Sequence, residues 1–515
     1  MSSQLATFWR QQLQLSDAHV AQLEQQMRDL ETQRQGTTPA DLANARELLD
    51  AISGRVGDLQ EDYEREKARS KKLRTLHWRQ YMREFPPEVL CHIFLDVDEP
   101  GGRPPSLSDC SRCLERAKAP FVLAAVCRSW RGIALDMRNL WTYICIPVRQ
   151  GVIEDQSRDL AALLIARSKE APLDIVLPWR SARHPYIIWD MDTSAPAAQI
   201  LVLLAKASRR WRSIEMSIAE GALTVPAMGL FRTVTPWLEH CAIQGWTAGQ
   251  GMRWVPDSLN FFPVAPKLRS FSSAYTNIIP TTRGGPYHSL TELILHVKMS
   301  CAAVWAVLRC AGPRLELLEL ELERDPPDSE YVIPQPIAFP LLRSLKVHWR
   351  ASVLFRTNGT RISMPALRAL EMHAVEPADL RQWWQHTPLN IEELTIDGGG
   401  TLDGNDAGEL LALLRLRELI VSHCIMSTPF LNALAVPRPD GHWICPRLES
   451  LIISNGSIVE DQDGESFVRV FQARKDAHRA NRQHAPRALR NLDLGWESVP
   501  GWAADQVRYI LDADA

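Results

Sequence analysis

Two cysteines three apart, Cys110-Ser-Arg-Cys113, have the spacing of half a structural zinc site. Such a site needs four thiolate or imidazole ligands around the ion. No second C-x-x-C or H-x-x-x-H supplies the other two. A thiol redox pair would need a surrounding βαβ pattern, and none is present. Asp461-Gln-Asp463-Gly464 opens like a calcium loop. Its glycine comes too early, however, and the spaced glutamate that should close the loop is missing. The fourteen histidines are dispersed, with no pair at metal spacing on a helix. No GxxxxGK[ST], GxGxxG or GxSxG motif offers a phosphate cradle or a nucleophile elbow. These residues predict no metal, no cofactor and no catalytic group, and a protein that binds other molecules rather than transforming them.

The chain of 515 residues is too long for a single compact core. Its net charge of −3 gives no field that would attract nucleic acid. No apolar run approaches the roughly 20 residues of a membrane span. Ten scattered cysteines and an N-terminus without a secretory pattern point to reduced thiols in the cytoplasm or nucleus. Asn358-Gly-Thr360 and Asn455-Gly-Ser457 then read as idle turn residues.

From about residue 173 one pattern returns: an apolar residue, two others, an apolar residue, one other, an apolar residue. Its clear copies are Leu290/Leu293/Leu295, Leu315/Leu318/Leu320, Leu342/Leu345/Val347, Leu367/Leu370/Met372, Ile391/Leu394/Ile396, Leu416/Leu419/Val421, Leu448/Leu451/Ile453 and Leu489/Leu492/Leu494. Weaker copies precede them at Trp211/Ile214/Met216, Leu238/Cys241/Ile243 and Leu268/Phe271. Alternation within each copy suits an inward-facing strand, and a period near 25 residues is that of leucine-rich repeats. Helix-like stretches lie between copies at 304–308, 380–384 and 410–414, and Gly312-Pro313, Thr387-Pro388 and Cys445-Pro446 stop them before the next strand. Gly398–Gly400 reads as a turn.

Two stretches exceed the repeat length, 423–446 and 454–486. They are either plain surface insertions or target-binding ones, the second combining an acidic tip with a basic helix that includes Arg474 and Lys475. Trp349, Trp383, Trp384 and Trp443 are expected in the core or between helices.

Residues 1–80 are polar and helix-prone. Val20, Leu23, Met27 and Leu30 form one stripe; a break at Gly36–Asp41 follows, with Thr37 or Thr38 as the helix cap; then Leu49, Ile52, Val56, Leu59 and Tyr63 form another. Continued, the second register runs through Glu66, Ser70 and Leu73. A helical hairpin or short coiled coil is expected, either packed on its own chain or self-associating through 1–80. The basic run Arg65–Arg74 is either a nuclear import signal or a solvated helix face.

Between these parts lies a short helical module. Pro87 can start a helix, and Val89, Leu90, Ile93 and Phe94 follow on one face. A Pro/Gly/Ser-rich insertion, 99–118, is expected to loop out. Val126, Trp130 and Ile133 then recur at helical spacing, and Leu140 and Trp141 close the module. A module this small has too little interior for all these groups, so some should face a partner.

The stretches FPPEVLCHIF, VCRSWRGIAL and NLWTYI, in this order, resemble the three helical signatures of the F-box, with Phe85 where leucine is usual and with the insertion as a second departure. The repeats behind them complete a layout similar to F-box/leucine-rich-repeat proteins numerous in fungi. The resemblance implies an α/β leucine-rich-repeat solenoid at 148–515, preceded by an all-α F-box module at 81–147 and the helical segment 1–80. It implies a non-catalytic subunit of a Skp–cullin–F-box ubiquitin ligase. Pro86, Pro87, Val89, Leu90, Ile93, Phe94, Val126, Trp130, Leu140 and Trp141 would bind a Skp-type adaptor, and through it a cullin–RING ligase, while the repeats hold an unknown protein target. The other reading left open is a leucine-rich-repeat interaction scaffold with no ligase role.

Overall fold

The computed structural model describes residues 44–512 with breaks at 85, 99–109, 148–155, 180–190, 220–232, 247–258, 262–263, 275–277, 281–286, 298, 323–328, 376–389, 411–412, 455–457, 460–463, 481–484 and 495–498, together with a few helical positions between 18 and 32. The chain forms two compact units. One comprises Met1–Pro100 with Phe121–Met137, the other Gly101–Pro120 with Arg138–Ala515.

Helix α1 spans Asn44–Glu84. Where its side chains are described, Leu59, Tyr63, Glu66, Ser70 and Leu73 are covered or half-covered among exposed neighbours. The register of 3 and 4 therefore continues even where its residues turn polar. The basic run lies on this helix, with Arg65, Lys67 and Arg69 paired to Asp62, Glu64 and Glu66 one turn earlier. Val20, Leu23, Met27, Leu30 and the break at 36–41 lie outside the described residues. Three further helices follow: α2 (Pro87–Asp98), α3 (Cys110–Val126) and α4 (Arg128–Asp136). The expected loop 99–118 is thus helical from Cys110 onward. The cause is an apolar stripe: Cys113, Leu114 and Ala117 pack with Tyr143, Cys145 and Val176 at the start of the sheet. Cys113 is a core residue there.

The second unit is built on a 14-stranded parallel sheet. Its strands are β1 (Tyr143–Cys145), β2 (Leu173–Pro178), β3 (Trp211–Ala219), β4 (His240–Trp246), β5 (Ser270–Ala274), β6 (Glu292–Val297), β7 (Leu317–Leu322), β8 (Ser344–His348), β9 (Ala369–His373), β10 (Glu393–Leu402), β11 (Glu418–Met426), β12 (Ser450–Ser454), β13 (Ile458–Val459) and β14 (Asn491–Leu494). Each pairs with the next in chain order, except that β13 pairs with the far end of β11 and β12 pairs onward with β14. The later apolar residues of all eleven repeat copies fall on strands, and β1 and β2 extend the sheet further toward the N-terminus. Because β1 is a strand, the segment expected to close an all-α module instead opens the sheet.

The register explains the repeat. Leu293, Leu318, Leu345, Leu370, Leu394, Leu419, Leu451 and Leu492 are successive cross-strand partners. Leu295, Leu320, Val347, Met372, Ile396, Val421, Ile453 and Leu494 form a second ladder two residues on. The leading residue of each copy, from Leu290 to Leu489, is buried as well. One face of the sheet is thereby apolar from strand to strand.

Connecting helices α5 (Gln156–Arg167), α6 (Met191–Lys206), α7 (Cys301–Ala311), α8 (Ser352–Asn358), α9 (Gly404–Glu409), α10 (Thr428–Ala435), α11 (Glu465–Arg479) and the terminal α12 (Gly501–Asp512) supply buried side chains of their own. Among the described residues, no helix is long and apolar enough to cross a membrane. Trp141, Trp179, Trp211 and Trp305 are fully buried in this unit, which accounts for part of the tryptophan load. The Trp179 and Trp211 indoles donate to the Ile146 and Leu204 carbonyls. Trp443 is buried as expected, but Trp349 is exposed; Trp383, Trp384 and the helix expected at 380–384 lie outside the described residues.

Several local expectations change. The helix expected at 410–414 comes earlier, because Asp403 forms a capping box with Asp406. The stretch 423–446 is not a free loop: α10, capped by Ser427, buries Phe430, Leu431 and Leu434. Gly398–Gly400 is not a terminal turn. Gly398 and Gly400 take φ of +70 and +75, forming a bulge through which β10 continues to Leu402. Asn358 is not idle: it is buried, donating to the Tyr331 and Leu354 carbonyls and accepting from the Ile333 amide. Asn455 lies outside the described residues.

Arg474 and Lys475, expected on a basic recognition helix, are buried too. The Arg474 guanidinium donates to the Leu434, Ile444 and Cys445 carbonyls at 3.3, 3.2 and 2.7 Å. Burial pushes its pKa down to about 10. It ties α11 to the end of α10 and to the chain entering β12. Arg474→Ala removes all three bonds and leaves buried carbonyls unpaired, so it should lower unfolding free energy by about 3 kcal/mol. Urea unfolding of the full chain measures this, and an unchanged midpoint would contradict the assignment.

Candidate functional site

In the first unit, Pro86 accepts from the Val89 and Leu90 amides and opens α2. Helix α3 ends at Val126 because Cys127 adopts extended backbone. The Cys127 thiol accepts from the Trp130 amide at 3.4 Å, capping α4. Arg131 reaches back to the Ala124 carbonyl at 2.9 Å, satisfying one of the carbonyls that a helix end leaves open.

These caps set which side chains face inward. Leu90 and Phe94 are buried, and Phe94 packs on Trp130 with ring centroids 4.9 Å apart. Trp130 is half-buried, and its indole N–H has no hydrogen-bond partner among the described residues. On the outside, Pro86 and Pro87 are exposed, Val89 is 42% and Ile93 40% exposed, and Val126 is 57% exposed. Val122, which the sequence reading did not single out, is exposed as well. The ten predicted residues therefore divide. Leu90 and Phe94, with the half-buried Trp130 packed on Phe94, belong to the interior of the first unit. Leu140 and Trp141 belong to the interior of the second, where the Arg167 guanidinium lies 4.3 Å from the Trp141 ring centroid. Pro86, Pro87, Val89, Ile93 and Val126 remain available at the surface.

In the second unit, the face of the sheet opposite the leucine ladders carries polar side chains. One column follows the last apolar residue of each copy: His296, Glu321, His348, His373, Asp397 and Ser422. A second column includes Glu319, Lys346 and Glu371. His296 Nε2 and Glu319 Oε1 lie 2.7 Å apart. His348 and His373 stack at 4.5 Å with 13° between their planes. Lys346 pairs with Glu371 at 2.8 Å, and Asp397 meets both His373 and His423, at 3.1 and 2.7 Å.

The His296 hydrogen bond, and then the neighbouring His348 imidazole, hold the Glu319 carboxyl well below the usual range. His373 does the same for Glu371, and Glu371 in turn raises His373, against burial and with help from Asp397. The column borders an open cleft of about 410 Å³ that also includes Trp349 and Arg350. No histidine pair on a helix signals this arrangement in the sequence, because its members come from different strands. Aligning the repeats on their last apolar residue would have exposed it.

A family model described as F-box-like matches residues 82–147, so the chain carries an F-box-like domain there. Among curated proteins, none matches the chain.

The division of α2 into a buried and an exposed row has a measurable consequence. Phe94→Ala should destabilise the first unit by about 3–5 kcal/mol. Val89→Ser and Ile93→Ser should each change stability by about 0.5 kcal/mol or less. Thermal unfolding checks this, and equal effects from both rows would show the faces to be misassigned.

Proposed function

We propose that this chain is a substrate-receptor subunit of a Skp–cullin–F-box type ubiquitin ligase. The reading rests on one coincidence: the F-box-like match covers the helices on which Val89, Ile93 and Val126 stay exposed although they are apolar. Exposed apolar side chains on a small helical module are what a partner helix would cover. In this reading Pro86, Pro87, Val89, Ile93 and Val126 touch a Skp-type adaptor, while Leu90, Phe94 and Trp130 hold the helices that present them.

The second unit is, in the same reading, a divergent leucine-rich solenoid whose polar sheet face holds a target protein. In support, leucine triplets recur on strands that add in chain order, and each strand-plus-connection unit needs its neighbours to bury its apolar face. The chain then performs no chemistry itself. It raises the local concentration of its target beside the ubiquitin-loaded enzyme.

Calorimetric titration of the full chain with a purified Skp-type adaptor tests the docking. Val89→Glu combined with Ile93→Glu should weaken binding by roughly 2–4 kcal/mol while leaving far-UV dichroism unchanged. Equal affinity for wild type and the folded double variant would remove the docking assignment.

A further inference from the structure

We propose that His296, Glu319 and His348 form a binding site for a divalent transition-metal ion of the zinc class on the polar face of the sheet. The three side chains come from β6, β7 and β8, and a ligand atom from each lies within 4.8 Å of the others. Backbones two strands apart are separated by roughly 10 Å. The His296 and His348 ring centroids are only 5.4 Å apart. Both rings therefore lean inward over the central strand.

They lean with the same edge toward the same acceptor. His296 Nε2 is 2.7 Å from Glu319 Oε1, and His348 Nε2 is 3.6 Å from that same oxygen. The other ring edges face a second carboxylate two residues along the strand. Glu321 Oε2 lies 3.4 Å from His296 Nδ1 and 4.0 Å from His348 Nδ1. Metal-bound histidines ordinarily show this division: one nitrogen takes the ion, and the other donates to a carboxylate that fixes the ring. Glu319 is the ligand in this arrangement and Glu321 the orienting group.

A second observation adds to the convergence. His348 Nε2 is shielded from solvent, and its approach of 3.6 Å to Glu319 Oε1 is too long for a hydrogen bond. A buried imidazole nitrogen without a partner is costly. Its ring cannot turn freely to find one, because His373 is stacked against it. An ion between the two Nε2 atoms and Glu319 would satisfy it and replace the direct contact between His296 and Glu319.

Two imidazoles and a carboxylate suit zinc, cobalt or nickel better than calcium or magnesium, which prefer oxygen alone. Three protein ligands leave a fourth position open.

The experiment uses the full chain stripped with a chelator and titrated with Co²⁺ as optical probe. We expect one equivalent to produce d–d absorption without a thiolate charge-transfer band, and equimolar Zn²⁺ to displace it. His348→Ala and the isosteric Glu319→Gln should each weaken binding at least about tenfold, and Glu321→Gln should weaken it about 10- to 100-fold. Unchanged unfolding midpoints of the metal-free variants establish that they fold. No cobalt spectrum at millimolar ion, a thiolate band, or unaltered affinity in Glu319→Gln overturns the proposal.

Discussion

Strands β6–β12 and β14 each carry two apolar residues two positions apart on one face, and neither the strand nor its connection can cover them alone. Burial requires the next strand in register and the next connection beside it. That requirement aligns Leu293 through Leu492 in one ladder and Leu295 through Leu494 in another. It also holds the opposite face open. A parallel sheet with one face committed to the core leaves its alternate residues to whatever chemistry the sequence places there, and here those residues are histidines and carboxylates.

The apolar periodicity made the sheet legible in advance. The later apolar residues of all eleven copies lie on strands, because a period of two within each copy and about 25 between copies has few other structural solutions. The connections were less legible. The α9 helix lies ahead of its leucines because the Asp403 capping box fixes its start, and caps act through one or two polar residues that hydrophobic spacing ignores. The stretch 423–446 looked surplus, yet it contains α10, whose Phe430 and Leu431 are core. Arg474 shows the limit of reading charge: a cation surrounded by three carbonyls has the same one-letter code as a cation in water.

The candidate sites were legible to different degrees. The helical signatures located α2 and α4, but spacing could not separate Leu90 and Phe94, which face inward, from Val89 and Ile93, which do not. Apolar positions at i, i+1, i+4 and i+5 span a wide arc of a helix, and only the packing of Phe94 on Trp130 decides which edge is covered. The histidine–carboxylate column was invisible to any local motif. Its successive members are 24 to 27 residues apart in sequence and become neighbours only through register.

Docking an adaptor and holding a target are assigned here to different parts of the chain: the exposed edges of α2 and α3 for the first, the polar face of the sheet for the second. Hydrogen exchange of the full chain, alone and saturated with a purified Skp-type adaptor, tests that assignment most directly. It should show slowed exchange in residues 87–98 and 121–136 and unchanged exchange in strands β6–β11. Protection of those strands, with none in the helices, would contradict it.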